Sequence, residues 1–559
     1  MTKQSDLKNL ILAMALSFLI MAGWQHFVEK PRQQQAQLAE KIHAQSEGLN
    51  KPEETQTPKS RQELLTESPR VSIHSTDVQG SLNLKGLRFD DLSLAQYRET
   101  LDPKSPEVIL LSPAPAQDGY FAEIGWLSDN KNIKLPSEDT VWTADHPELT
   151  PTQPVTLSWN NGSGVTFYAK ISLDEKYLFT IECSATDATG NPIALSNYAF
   201  INRVYDIKVH PTSGIMHEGP LGVFDGKLHE ATYKTLIDNK EESYESKNGW
   251  LGIADKYWLA AFVPEQKEFT SKLSYYSAKD RPHFQVDYRG SVQAHTTLHF
   301  FAGAKEMAVL DDYASRYHIP LFDHAVDLGW FDFLTKPILK MLTYFYNLTG
   351  NFGIAILILT VLVKLFMFPL ASKSFRSMNQ MKLLQPKINE IRERHKDDSL
   401  KMNQAMMELY KREKVNPASG CLPMFIQIPV FFSLYKVLYV ALEMRHAPFF
   451  GWIHDLSAPD PTNLFTLFGL IPWEPPALLH LGIWPIIMCL TMVIQQRQSP
   501  PPADPTQAKM MKLLPLVMLF LFSSFASGLV IYWSWSNLLT ILQQWYIKVK
   551  HEHPHPHRK

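Results

Sequence analysis

Residues 352–371 read FGIAILILTVLVKLFMFPLA, an apolar run broken by one charge, Lys364. An α-helix needs about 20 such residues to cross the hydrocarbon core of a bilayer, about 30 Å thick. Further runs follow at Leu422–Leu442, which contains Gln427 and Lys436, and at Leu478–Ile494. Leu513–Ile547 as one helix would extend about 52 Å, but Ser523-Ser524-Phe525-Ala526-Ser527-Gly528 interrupts it. A tight hairpin of two helices is therefore expected there. Near the start, LILAMALSFLIMAG is followed by Trp24, His26 and Phe27 instead of a small-residue cleavage site. That pattern predicts an uncleaved signal anchor and brings the expected number of transmembrane helices to six.

The remaining sequence has other textures. Residues 29–70 are rich in Gln, Glu, Lys, Pro and Ser and lack aromatics, a composition that cannot bury enough apolar surface to order itself. A disordered tether is expected. From 71 to about 320, short runs rich in β-branched and aromatic residues recur: Val155–Trp159, Gly164–Leu173, Tyr177–Thr186, Lys272–Ala278, His283–Tyr288 and Val292–Ala302. Asp174-Glu175-Lys176 and Arg289-Gly290 punctuate them as turns, and the set predicts a β-sandwich. The net charge of −2 gives no support to a nucleic-acid coat. Three cysteines, none in a CxxC spacing, exclude a disulfide framework, and Cys183 reads as a small buried hydrophobe. His217-Glu218, Asp174-Glu175 and Glu182 are scattered acid–base candidates with no recognisable spacing. No phosphate loop, zinc spacing or nucleophile elbow is found.

Basic residues orient the chain. Residues 372–420 hold eleven Lys and Arg, whereas 443–477 hold only Arg445. By the positive-inside rule the first loop is cytoplasmic, as are 497–512 and the tail, and the sandwich lies outside. The 372–420 loop shows helical periodicity at Met378, Met381, Leu384, Ile388 and Ile391, then at Met402, Met406, Leu409 and Tyr410, with a helix start at Asp397-Asp398-Ser399. Two helices pairing as an antiparallel hairpin are expected. The stripe serves either as their own seam or, through its flexible methionines, as a surface for varied apolar partners.

Lys364 stands near the middle of its span, where a lysine costs about 2.5–3.5 kcal/mol on insertion scales. It must face a water-filled cavity, find an anion or snorkel; Thr360, one turn earlier, would extend a polar strip on the same face. Lys436 lies close to the outer end of its helix, where outward snorkelling is expected. Leu513–Phe522 reads as a helix too short for a full span, implying local thinning of the bilayer.

The strings GNFGIAILILTVLVKLFMFPL, SMNQMKLLQPKINEIRERH, LYKREKVNPASGCLPMFIQIPVFFSLYKVL, FGWIHDLSAPDP and SGLVIYWSWSNLLTILQQ occur in this order over 329–547. They resemble the YidC family of membrane protein insertases. The anchor, tether and outer sandwich resemble its Gram-negative form, and the insertion FGLIPWEPPALLHLGIWP resembles alphaproteobacterial members. The resemblance implies a polytopic α-helical membrane protein of the inner membrane, with six transmembrane helices, both termini cytoplasmic and a large periplasmic β-sandwich domain. It implies an insertase and chaperone, not an enzyme, acting without a cofactor. Its groove would be hydrophilic, open to cytoplasm and lipid and closed towards the periplasm. Lys364 matches the groove's basic residue and Thr360 a substrate-facing threonine. Trp533, beside Tyr532, stands where the family has a substrate-facing tyrosine, and Gln427 joins the same expected groove. Met378, Met381, Met402 and Met406 become a client-capture surface on the hairpin. Implied partners are nascent integral membrane proteins, the Sec translocon, the ribosome and membrane lipids.

The expected domains are an anchor at 1–28, the tether at 29–70, the sandwich at 71–323 and an amphipathic connector at 324–350. A five-helix core at 351–547 contains the 372–420 hairpin, and a basic, His-rich tail occupies 548–559. An ion or solute transporter using Lys364 is the alternative, but the spans show no internal repeat. A membrane-anchored sugar-acting enzyme would leave the membrane third without purpose.

Overall fold

The computed structural model describes residues 59–552, except 211–215, 266–267, 396–397, 417–421, 468–470, 472, 474–480 and 499–504. The expected anchor, the tether up to 58, the tail beyond 552 and most of the insertion at 468–485 lie outside the described residues. The chain forms two compact units. One takes in Gln56–Leu339 with Lys436–His446, and the other takes in Lys340–Tyr435 and the residues from Ala447.

The first unit is a β-sandwich. The tether ends earlier than expected, because α1 (Arg61–Leu65) is a short helix closed by a capping box between Ser60 and Glu63, and the first strand begins at Arg70. A ten-stranded sheet runs from Glu241–Ser246 at one edge to Glu148–Leu149 at the other. A nine-stranded sheet runs from Lys227–Glu230 to Thr143–Ala144. Strand Val165–Leu173 alternates buried and open positions, placing Val165, Phe167, Ala169, Ile171 and Leu173 inward. It pairs antiparallel with Leu178–Asp187 through a turn in which Asp174 accepts from the amides of Lys176 (2.9 Å) and Leu178 (3.0 Å). Arg289 and Gly290 do not form the next turn. They end strand Arg281–Gly290, and the connection is 291–294.

Between the sheets Phe89 meets Phe179 and Phe300, each at 5.1 Å between ring centroids, and Phe262 meets Phe300 at 4.7 Å. These four rings are fully buried, and burying each is worth about 1.5–3 kcal/mol. Cys183 is buried, as expected, and burial pushes its thiol up to about 12. Helices α2 (Tyr233–Asn239) and α3 (Met307–Arg316) lie within the same unit.

Lys436 does not merely snorkel: its ammonium donates to Asp327 at 3.0 Å. The residues after it are tied down as well. Glu443 accepts from the Met307 amide at the start of α3 (3.2 Å), and Arg445 donates to the carbonyl of Glu99 at 3.2 Å.

Next come α4 (Asp332–Thr349), α5 (Phe352–Arg394), α6 (Ser399–Arg412), α7 (Leu422–Val440), α8 (Ile483–Gln498), α9 (Pro505–Phe522) and α10 (Ser527–Glu552). Among the described residues, α5 is the one helix both long and apolar enough to cross a membrane, and Phe425–Val440 is a shorter apolar stretch. The apolar span and the first arm of the hairpin are one continuous helix of 43 residues, about 64 Å long. The second arm, α6, starts where Asp398 accepts from the Lys401 amide at 3.0 Å. Its Leu409 and the following Val415 pack on Leu384 and Ile388 of α5. The break at 523–526 separates α9 from α10. Contrary to expectation α9 is not short: it begins at Pro505, a residue suited to a first helical turn, and its 18 residues extend about 27 Å. Only its apolar part is short.

Candidate functional site

Helix α5 starts at a tight approach. Asn351 caps it by accepting from the Ile354 amide (3.1 Å), and Gly353 follows. A Cβ at Gly353 would lie 1.9 Å from the Phe449 ring, so this contact requires glycine. From there α5 runs against α10. Trp535 Nε1 donates to the Leu357 carbonyl (3.2 Å), Lys364 Nζ donates to Thr540 Oγ1 (3.0 Å), and Gln543 Nε2 donates to the Lys364 carbonyl (3.3 Å). No carboxylate among the described residues pairs with Lys364. Thr540 donates its own hydroxyl to the Ser536 carbonyl at 2.8 Å.

The expected groove residues fall into two groups. Lys364 lies on the α5–α10 seam. Gln427 of α7 donates to the Tyr532 hydroxyl, and Trp533 packs edge-on against Phe431 (4.9 Å) and beside Phe522 (5.2 Å). Thr360 departs from expectation. It is 1% exposed and its hydroxyl donates to the Ile356 carbonyl at 2.6 Å, so the helix itself satisfies it. Tyr532 is likewise buried, with its hydroxyl engaged by Gln427.

Sequence reasoning missed the wall opposite Lys364. Ser536, Thr540 and Gln544 recur every four residues and Asn537, Thr540 and Gln543 every three, which draws a polar strip along α10. Asn537 donates to Thr491 of α8 at 3.2 Å, extending the strip to a third helix. The signal was present in SWSNLLTILQQ as a polar period inside an apolar helix.

On the hairpin, Met381 and Met406 pack against the Leu384–Ile388–Leu409–Val415 seam. Met378 and Met402 are half-buried and Met407 is exposed. At the opposite ends of α8 and α10, Asp460 is a buried pin. It accepts from Trp452 Nε1 (3.1 Å), Thr462 Oγ1 (2.7 Å) and the Trp484 amide (2.9 Å). Ser527 at the start of α10 donates its hydroxyl to the Ala458 carbonyl at 2.8 Å. The loop after 447 is thereby stitched across the starts of α8 and α10.

The family model of the 60Kd inner membrane protein matches residues 344–554, and that of the YidC periplasmic domain matches 70–341. A membrane protein insertase YidC of Rickettsia bellii is 48% identical over 556 residues, covering 97% of this chain and 99% of its own. That of Rickettsia rickettsii is 47% identical over 558 residues, with coverage of 97% and 99%. A crystal structure of an active YidC insertase with its first transmembrane domain resolved aligns over 86% of this chain and 93% of its own, at 17% identity and a TM-score of 0.36. Near-complete alignment at nearly half identity, with both domain models in register, means that this chain belongs to the YidC family of membrane protein insertases.

Proposed function

We propose that this insertase passes its clients along a hydrophilic groove walled by α5, α7 and α10, open to cytoplasm and lipid and closed towards the periplasm. The observation that carries this reading is Lys364, a lysine inside an apolar helix whose ammonium reaches only the Thr540 hydroxyl among the described residues. Such a group needs water or a passing anion, and the polar strip of α10 supplies a wettable wall beside it. The barrier to insertion is desolvation of a client's polar tail, since each unsatisfied backbone group in hydrocarbon costs several kcal/mol. A wet groove shortens the path over which that cost is felt.

The other parts take supporting roles. The hairpin of α5 and α6 captures apolar client segments through Met378, Met402 and Met407, while Met381 and Met406 hold its seam. Helix α4 turns Met341, Tyr344 and Leu348 outward at spacings of three and four, and Phe333 outward in its first turn, a stripe suited to the membrane surface. The Asp460 stitch closes the periplasmic end. In this reading six helices cross the inner membrane with both termini cytoplasmic. Short clients emerging from the ribosome insert without help, larger ones beside the Sec translocon, and no step is enzymatic or needs a cofactor.

The test is reconstitution of the purified chain in liposomes with a small two-span client. Protease-protected insertion without translocon or nucleotide is expected. A folded, correctly oriented protein that fails to insert the client would overturn the reading.

A further inference from the structure

Residues 447–467 lie across three helix starts of the same compact unit. The Phe449 carbonyl accepts from Asn351 Nδ2 at the start of α5 (3.4 Å). Thr462 Oγ1 and Asp460 Oδ2 accept from the Ile483 and Trp484 amides at the start of α8 (3.0 and 2.9 Å). The Ala458 and Leu456 carbonyls accept from the Ser527 and Gly528 amides at the start of α10 (2.7 and 2.9 Å). The polarity of this loop is inverted. Ser457 Oγ donates to Asp455 (2.7 Å), Thr462 Oγ1 donates to Asp460 (2.7 Å) and Asn463 Oδ1 accepts from the Phe465 amide (3.0 Å), so these polar side chains serve the loop itself. Phe450, Trp452, Leu464, Phe465 and Leu467 turn outward, each between 38% and 59% exposed. Residues 447–467 contain no Lys, Arg or Glu.

Two surroundings are excluded by this combination. Bulk water would wet five large apolar side chains of one short loop, more than the scattered single residues that a water-facing surface normally shows. Hydrocarbon would leave the irregular backbone of the loop without water for its amides and carbonyls, a cost that keeps lipid-exposed loops out of the bilayer core. Between the two lies the membrane–water interface, where aromatic side chains collect at the level of the headgroups. A protein partner fits less well. Protein interfaces are rimmed by polar groups that hydrogen-bond across them, and this loop turns its polar side chains on itself. The helix starts supply the depth: where α5, α8 and α10 cross the membrane, a loop lying across their starts sits at its surface.

We propose that 447–467 is an interfacial membrane anchor, with Phe450, Trp452, Leu464, Phe465 and Leu467 resting among the headgroups of the outer leaflet. This anchoring rests on α5, α8 and α10 crossing the membrane as proposed above. With no Lys or Arg in the loop, it holds by apolar contact and not by attraction to anionic lipid.

The test places a polarity-sensitive fluorophore on a single cysteine, Phe450→Cys or Phe465→Cys, in the full chain with Cys183, Cys421 and Cys489 changed to Ala and with circular dichroism matching the unchanged chain. Phe366→Cys, at an outward position of α5 (89% exposed), is the deep reference, and Glu175→Cys, in an exposed turn of the sandwich, is the aqueous one. Each protein is reconstituted in phosphatidylcholine vesicles carrying a nitroxide either near the top or near the end of the acyl chain. The labels at 450 and 465 should emit to the blue of the label at 175 and be quenched at least about twofold more by the shallow nitroxide than by the deep one, as expected at the headgroup–acyl boundary. The label at 366 should show the reverse order, and the label at 175 should respond to neither. Labels at 450 and 465 that behave like that at 175, or that are quenched as deeply as that at 366, would overturn the anchor while leaving the membrane crossing intact. Quenching that falls as the protein-to-lipid ratio rises would assign the surface to a second copy, and quenching that falls on adding the two-span client would assign it to clients; either would also overturn it. An unquenched label at 366 would overturn the membrane crossing itself, and the anchor with it.

Discussion

Lys436 Nζ donates to Asp327 Oδ2 at 3.0 Å, joining the end of α7 to the segment that leads into α4. The lysine stem also lies across Gly329, where a Cβ would come within 2.9 Å of its Cε. Asp327 is held from other sides, its carboxylate accepting from the His217 amide (3.1 Å) and the Gly329 amide (3.0 Å). The pair's side chains are 19% and 25% exposed, so its loss leaves a charge partly desolvated. Lys436→Ala or Asp327→Ala is expected to lower stability by about 1–2 kcal/mol. The exchanged pair Asp327→Lys with Lys436→Asp should recover part of it. A double-mutant cycle of unfolding measures this, and additivity of the two single changes would show that the pair is not coupled.

The same contact sets where the sandwich can be cut. A deletion ending inside strand Phe269–Ala278 would take away the Ser196–Val204 partner of strand Arg281–Gly290 and both partners of strand His295–Ala304, exposing edges that invite aggregation. Removing 59–325 while keeping Val326 onward preserves Asp327 for Lys436. Insertion activity is expected to survive that deletion and to fall when the cut extends to 331. Equal loss in both would show that the sandwich acts directly.

His217 carries a pH dependence. Burial holds its imidazole at about 4, well below its ordinary value, and Lys305 nearby adds to the effect. The folded state keeps it neutral while the unfolded chain protonates near pH 6.5. Its contribution to stability is complete above about pH 6.5 and is lost as pH falls towards 4, up to about 3 kcal/mol. Hydrogen exchange of the sandwich at pH 7 and pH 5 should show weaker protection at pH 5. His217→Gln should flatten the difference, and an unchanged slope in that variant would assign it elsewhere.

Much of this architecture is legible from residues alone. The strands at 165–173 and 178–187 are visible because side chains alternate around a polar turn, and the α5–α6 hairpin because apolar residues recur at helical spacing. What could not be read depends on partners far along the chain. Lys436 looked like a snorkelling lysine because Asp327 lies 109 residues earlier. Thr360 looked like part of a polar strip because nothing in its sequence says that its hydroxyl turns back to Ile356. The α10 strip was overlooked because Trp and Leu between its polar residues carry the stronger signal.

The proposed orientation rests on charge: by the positive-inside rule, eleven basic residues in 372–420 against Arg445 alone in 443–477 are expected to put the hairpin inside and the Asp460 loop outside. A reporter active only outside the cytoplasm is expected to work when fused near Ser457 and to fail when fused near Glu408. The reverse result would invert the topology and remove the basis for a cytoplasm-facing groove.

Lys364 gives the sharpest test of the groove. In the proposed groove its one hydrogen bond among the described residues, to the Thr540 hydroxyl, leaves the ammonium to meet water and acidic residues in a client's translocating tail. Lys364→Arg should be tolerated, because charge and hydration persist. Lys364→Ala removes a group that costs about 2.5–3.5 kcal/mol inside a helix, so the variant is expected to fold at least as well. It should nevertheless insert clients with acidic tails several-fold less well, while matched neutral-tailed clients are much less affected. Thr540→Val, which takes away the partner but leaves the charge, should fall between the two. The measurement is insertion of paired clients differing only in tail charge, at equal expression of each variant. Equal activity of Lys364→Ala on both clients would show that the lysine serves only to bridge α5 and α10, and that the groove works through shape and hydration alone.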